Sequence, residues 1–243
     1  LPYTPLFRSG FVLTQPPARA GRASAIPADL STARCLPPAM TESTRPHHRI
    51  WPRRLPRELA VPQTSLWFNL ATAAARYPDK AAYRFFGRAL SFRELHAQAE
   101  ALAGWLQAAG VRAGDRVAIY LQNCPQFVVA LYAIFRANAV AVPVNPMNRA
   151  DELGHYITDP QTKVVICAAD LAGFVDEANR ALPEAQRLAA VLVTRYTDAM
   201  PEGPLDPAEA PSPAIEQWLR AEHPLPAGGG SLWRMCLSTS SAT

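Results

Sequence analysis

Between residues 81 and 194, short β-branched runs alternate with amphipathic helical stretches, and this alternation constrains the fold more than any other feature of the chain. Ala81–Phe86, Asp115–Leu121, Val140–Val144, Lys163–Cys167 and Ala190–Thr194 read as strands. The stretches between them carry apolar residues at helical spacing. Strands joined in this way by helices point to βαβ units and a mainly parallel sheet. Such a sheet is normally covered on both faces, so the expected class is α/β, with helices flanking the sheet.

Local punctuation sharpens the pattern. Leu66, Leu70, Ala73, Ala74 and Tyr77 recur at helical spacing, and Pro78 stops that helix. Gly87-Arg88 turns the first strand into a short second one at Ala89-Leu90. Ser91-Phe-Arg-Glu94 has the form of a capping box, in which serine and glutamate satisfy each other's free amides. Behind it Phe92, Leu95, Ala99, Leu102, Leu106 and Ala109 form one apolar stripe, closed by Gly110 as a C-terminal cap. Asn123 is the expected cap of the next helix, with Pro125 in its first turn, where a missing N–H does no harm. That helix runs to about Asn138, and Val140–Val144 is expected to be a buried strand. Asn148 is the expected cap of a helix through Asp151-Glu152 that ends near Asp159-Pro160. Leu171–Ala181 and Ile215–Ala221 read as further helices. Five prolines between residues 200 and 213 mark a surface linker. Gly228-Gly-Gly230 breaks the chain, and Ser231–Thr243 shows no convincing period.

Composition excludes several function classes. The formal charge of +4 is unevenly spread: residues 1–60 hold nine arginines against three acids, so +6 lies there and the remainder carries −2. The basicity therefore belongs to an N-terminal arm, not to a structured face or motif that would read nucleic acid. The 24 prolines, about a tenth of the chain, are concentrated in particular segments. Residues 1–39, rich in Pro, Ala, Arg and Ser, show no period and cannot bury enough apolar surface to offset their ordering entropy. Met40 opens a different kind of text and is the expected natural start; an Arg-rich transit peptide is the competing reading. His47 and His48 are adjacent on what reads as an extended arm, where neighbouring side chains point opposite ways and make a poor chelate. Cys35, Cys124, Cys167 and Cys236 are 89, 43 and 69 residues apart, with no metal-ligand or redox spacing. They read as isolated thiols in a reducing, cytoplasmic setting. The longest apolar zone, Phe127 to Val144, is broken by Arg136 and Pro143 and is not a membrane span.

Read singly, the remaining motifs are structural signals. Gly110-Val-Arg-Ala-Gly-Asp-Arg-Val117 marks a turn into a strand and also occurs in medium-chain dehydrogenases, but the glycine-rich dinucleotide turn that reading needs is absent. Asn123 and Asn145 lie where strands of an open α/β sheet end, and such ends face a ligand crevice. The favoured alternative is that they are a helix cap and a turn residue.

Together the motifs are specific. The series runs through Trp67–Leu70, Tyr77-Pro-Asp-Lys80, a Tyr-containing strand and Leu90-Ser-Phe-Arg-Glu-Leu95. It continues through Gly114-Asp-Arg-Val117, Asn123-Cys-Pro-Gln-Phe127, Val142-Pro-Val-Asn-Pro146 and Asp151-Glu-Leu153. In order and spacing it resembles the opening of the AMP-forming acyl-CoA synthetases, within the acyl-adenylate-forming ligases, over about residues 63–200. Among these it looks most like the long- or medium-chain fatty acid ligases. The resemblance implies the N-terminal portion of the family's large domain. It also implies, for a full-length member, ATP, Mg²⁺, coenzyme A and a fatty acid as cofactor and partners.

The family's phosphate loop is a Thr-Ser-Gly-Thr-Thr-Gly run followed by Pro-Lys-Gly, and the sequence contains neither. Ser238–Thr243 looks like a degenerate start of it, lacking both glycines and the lysine; the preferred reading is an unrelated or out-of-frame tail from near Gly228. The resemblance therefore carries over no catalytic, cofactor-binding or metal-binding residue to any position here. The expected organisation is a disordered arm over 1–62, a partial AMP-binding domain over 63–227 and an unmatched tail over 228–243. The expected function is that of a truncated, inactive fatty acyl-CoA ligase, with no transmembrane segment and peripheral membrane contact left open. A non-catalytic binding or interaction module on the same fold is the alternative.

Overall fold

The computed structural model describes residues 46–58, 61–224 and 231–238. The chain divides into two units, Leu1–Val61 and Pro62–Thr243. The expectations for residues 1–39 and Met40 fall outside the described residues. In the first unit Pro46–Arg49 forms a 3-10 turn. The turn brings the His47 and His48 rings edge to face at 4.6 Å, which corrects the extended geometry expected for that pair. The Trp51 indole N–H closes the following loop on the Pro56 carbonyl at 3.1 Å.

The second unit opens with α1 (Leu66–Arg76). A hairpin follows, β1 (Ala81–Phe85) against β2 (Arg88–Ser91), paired antiparallel. Its turn is Phe86-Gly87, at φ 44° and 87°, one residue earlier than the expected Gly87-Arg88. Two successive positive φ angles match the twist of a hairpin, and only the second is relieved by glycine.

α2 (Phe92–Ala108) starts in the expected capping box. The Glu94 amide donates to Ser91 Oγ at 3.2 Å, and the Ser91 amide donates to the Glu94 carboxylate at 2.8 Å. Its buried stripe is Leu95, Ala99, Leu102, Ala103 and Leu106. Gly110, at φ 85°, closes it: the Gly110 amide reaches the Gln107 carbonyl and the Val111 amide reaches Leu106, a Schellman cap.

Five parallel strands make the main sheet: β3 (Arg116–Tyr120), β4 (Val140–Pro143), β5 (Thr162–Ala168), β6 (Ala190–Thr194) and β7 (Ser231–Leu232). The strand order is β4-β3-β5-β6-β7. α3 (Pro125–Arg136), α4 (Ala150–Thr158) and α5 (Ala172–Ala181) connect successive strands. α6 (Pro213–Arg220) and α7 (Trp233–Ser238) follow. α2 packs on α1, α3 and α7, while α4 packs on α5. Because the chain leaves β3 for one neighbour and returns to its other side at β5, right-handed crossovers place α3 and α4 on opposite faces of the sheet. The core is the sheet's interior: Val117, Ile119, Val164, Ile166, Cys167, Leu192 and Val193 are fully buried.

Four expectations are corrected here. β4 is not buried; it forms the sheet edge, with Val140 47% exposed, and Pro143 is tolerated there because an edge strand has one side without ladder partners. The residue capping α3 is Cys124, in extended backbone at φ −147°, and Asn123 stands exposed one position too early. α4 is capped by Arg149, whose amide donates to Glu152 at 2.7 Å, because Asn148 is held in the preceding turn. The tail that showed no period in sequence contributes β7, with Leu232 opposite Val193, and α7, in which Trp233 and Cys236 are buried. Of Ser238–Thr243, which resembles a degenerate start of the phosphate loop, only Ser238 is among the described residues, at the end of α7.

Candidate functional site

The strand order reverses direction between β3 and β5, and in an open α/β sheet such a reversal leaves a crevice at the strands' carboxyl ends. In the present chain Tyr120 ends β3 opposite Cys167 of β5. Beyond β5 the chain passes Ala169 and Asp170, and beyond β6 it enters a 3-10 turn, Tyr196–Ala199. Beyond β4, the Asn145 side-chain carbonyl accepts from the Met147 amide at 3.0 Å, and its backbone carbonyl accepts from the Asn148 amide at 3.0 Å. Asn145 is thus the turn residue. The Tyr120 hydroxyl donates to the Asn148 carbonyl at 2.5 Å and pins this turn over the β3 end.

The titratable groups here share one electrostatic character. Burial pushes Tyr120 up to about 12, the Cys167 thiol up to about 12 and the Cys124 thiol up to about 11. Tyr196 is raised by burial, with the nearby Asp170 charge adding to it. Asp170 itself is raised by burial, against opposing backbone hydrogen bonds and the charge of His223. Each shift favours the neutral form. The thiols gain none of the thiolate character a nucleophile needs, even at the N-terminus of α3, where the amides of Phe127 and Gln126 oppose the effect of burial on Cys124.

Beside this crevice, Asp198 ties several elements together. Its carboxylate accepts from Arg234 Nε at 2.8 Å, the Arg195 amide at 2.9 Å and Thr194 Oγ1 at 3.3 Å. Its backbone carbonyl accepts from Arg88 Nη1 at 3.1 Å. The hairpin, the β6 end and α7 thereby meet on one residue. An apolar groove of about 290 Å³ runs between the hairpin and the start of α3, lined by Tyr83, Phe85, Pro125, Phe127 and Val128 with Arg84 at its rim.

A nucleotide phosphate site needs converging backbone amides, glycine where backbone approaches phosphate, and a cation. The described residues do not supply that set. Gly110 and Gly114 bound the loop before β3, at the sheet's other end. Lys163, the second residue of β5, is engaged there, 2.7 Å from the Gly110 carbonyl and 3.1 Å from the Asp115 carboxylate. Lys80, the other lysine, lies over the Tyr77 ring. Among the described residues no cluster of three or more His, Cys, Asp or Glu side chains could hold a metal ion. The sequence assigned no site residue, and Tyr120, Asp170 and Tyr196 come together at this end of the sheet only in the fold. The signal that finds them is position, at or just past the carboxyl ends of β3, β5 and β6.

The family model for AMP-binding enzymes matches residues 70–227, well over half of the chain. The chain belongs to the AMP-binding enzyme family. It is 38% identical over 125 residues to a long-chain-fatty-acid–CoA ligase of Bacillus subtilis strain 168, covering 51% of this chain and 22% of that relative. It is 30% identical over 158 residues to the Salmonella typhimurium strain LT2 enzyme of the same name, covering 63% of this chain and 28% of the relative. A salicyl-AMP ligase / salicyl-S-ArCP synthetase of Mycobacterium tuberculosis strain H37Rv is 38% identical over 110 residues, covering 43% of this chain and 20% of that protein. Among solved structures, a long-chain-fatty-acid CoA ligase from Rhodopseudomonas palustris superposes with TM-score 0.50 at 28% identity, covering 59% of this chain and 38% of that one. The anthranilate CoA ligase AuaEII, at 21% identity and TM-score 0.51 over 55% of this chain and 25% of its own, shares the fold. The matched part of the chain thus spans about a quarter of the length of these curated relatives. No helix among the described residues is long and apolar enough to cross a membrane.

Proposed function

We propose that this chain is the N-terminal portion of a cytoplasmic AMP-forming fatty acyl-CoA ligase, and that these 243 residues alone form no acyl-adenylate. The observation that supports the reading is the family match over residues 70–227 combined with a strand-end crevice whose Tyr120, Cys124 and Cys167 are raised by burial and with no glycine-rich phosphate cradle among the described residues. In the parent reaction a carboxylate oxygen attacks the α-phosphorus of ATP and pyrophosphate leaves. The thiol of coenzyme A then attacks the acyl carbon and AMP leaves. Two anions must meet in the first step, so the parent depends on preorganised donors and a cation that its downstream residues supply. The part played by this chain is architectural: it fixes the sheet on which those residues assemble.

A second reading concerns the acid. The similarity to the salicyl-AMP ligase equals that to the Bacillus relative in identity, so an aromatic carboxylate stands beside a fatty acid. The test is acyl-CoA formation by a longer polypeptide in which the family's reading frame continues past residue 227, assayed with fatty acids of graded length and with aryl acids. Product with fatty acids supports the first reading and product with aryl acids alone supports the second. A folded longer protein that is inactive with every acid overturns both.

A further inference from the structure

Gln126, in the first turn of α3, is 2% exposed. Its side-chain Nε2 donates to the Arg195 carbonyl at 2.8 Å. A carbonyl only accepts, so this bond fixes which end of the amide is nitrogen and turns the other end, Oε1, the opposite way. Oε1 is buried and has no protein donor in hydrogen-bonding geometry. Leaving a buried acceptor unpaired forfeits its hydration without a replacement bond, so a donor is needed.

A small, partly open cavity of about 20 Å³ lies against Gln126, lined also by Arg88, Gln98, Pro125, Asp198 and Trp233. One water needs roughly 10–15 Å³ of such space and two to four polar partners. The lining meets both conditions. Gln126 Oε1 and Asp198 offer acceptors, while Arg88 and Gln98 carry donors.

We infer that this cavity is the site of one buried water, which donates to Gln126 Oε1 and links the start of α3 to the Asp198 junction of hairpin, β6 and α7. The water is then part of the fold, holding α3 in register with the turn that follows β6. The test is a crystal structure of the 243-residue chain at a resolution that shows ordered solvent, with Gln126→Met solved beside it. The expected result is a single solvent peak about 2.7–3.2 Å from Gln126 Oε1 and from at least one of Arg88, Gln98 and Asp198, absent from the Gln126→Met protein. An empty cavity, or Oε1 bonded directly to the Gln98 amide or the Arg88 guanidinium, overturns the inference. Should Gln126→Met fail to fold, water cross-relaxation in the unaltered chain decides. A long-lived water contact at the Gln126 side-chain amide supports the site, and its absence overturns it.

Discussion

Asn138 sits at φ 55°, one residue past the last turn of α3, where its amide reaches the Phe135 carbonyl and the next amide reaches Ile134. The left-handed conformation costs an ordinary L-residue about 1–2 kcal/mol; asparagine tolerates it and glycine adopts it freely. Asn138→Gly is therefore expected to leave stability unchanged or raise it slightly. Asn138→Val is expected to lower it by about 1–2 kcal/mol in denaturant unfolding. Equal effects of the two substitutions would contradict the cap geometry. Glu94 supplies a second residue-scale test. The Ser91 amide, then the Ser91 hydroxyl, hold its carboxyl below the ordinary value. A carboxyl lowered in the folded state contributes stability that is present above its unfolded value and lost as pH falls through the folded one. The chain is thus expected to lose stability on the acid side of the carboxylate range, and Glu94→Gln is expected to shrink that loss. An unchanged acid limb in Glu94→Gln would show that the capping box does not act through the carboxylate.

At the scale of elements, α2 offers the clearest check. Leu102 is fully buried between Leu95 and Leu106 on the stripe that faces the core. Leu102→Ala is expected to cost about 2–5 kcal/mol, read as a shift in the unfolding midpoint at constant slope. A loss under about 1 kcal/mol would mean that the stripe does not pack as described. The same elements show what a sequence reveals and what it conceals. β3, β5 and β6 were legible because an unbroken apolar, β-branched run has few other solutions. β4 has similar composition, and only the tertiary pairing put it at the edge. The capping positions of α3 and α4 slipped by one because residue type indicates a cap, whereas the cap is set by where the backbone turns extended. β7 was illegible: two residues carry no period, and Leu232 becomes a strand only by lying against Val193. The crevice was hidden for a related reason. Tyr120, Asp170 and Tyr196 are distant in sequence and share a location only because the strand order reverses at β3.

At the scale of the whole molecule, scaffold and chemistry fall on different parts of the family's sequence. The motif series over residues 63–200 was enough to predict the family and the α/β class, because a sheet's connections leave spaced signatures along the chain. The family's phosphate loop leaves an equally plain signature, and the sequence does not contain it. The described residues likewise place Lys163, Gly110 and Gly114 at the end of the sheet opposite the strand-end crevice. The most direct measurement is carboxylate-dependent exchange of labelled pyrophosphate into ATP by the purified, folded 243-residue chain, with Mg²⁺ and a panel of fatty and aryl acids. No exchange above a protein-free control is expected with any acid. Exchange that depends on both the acid and the chain would contradict that expectation.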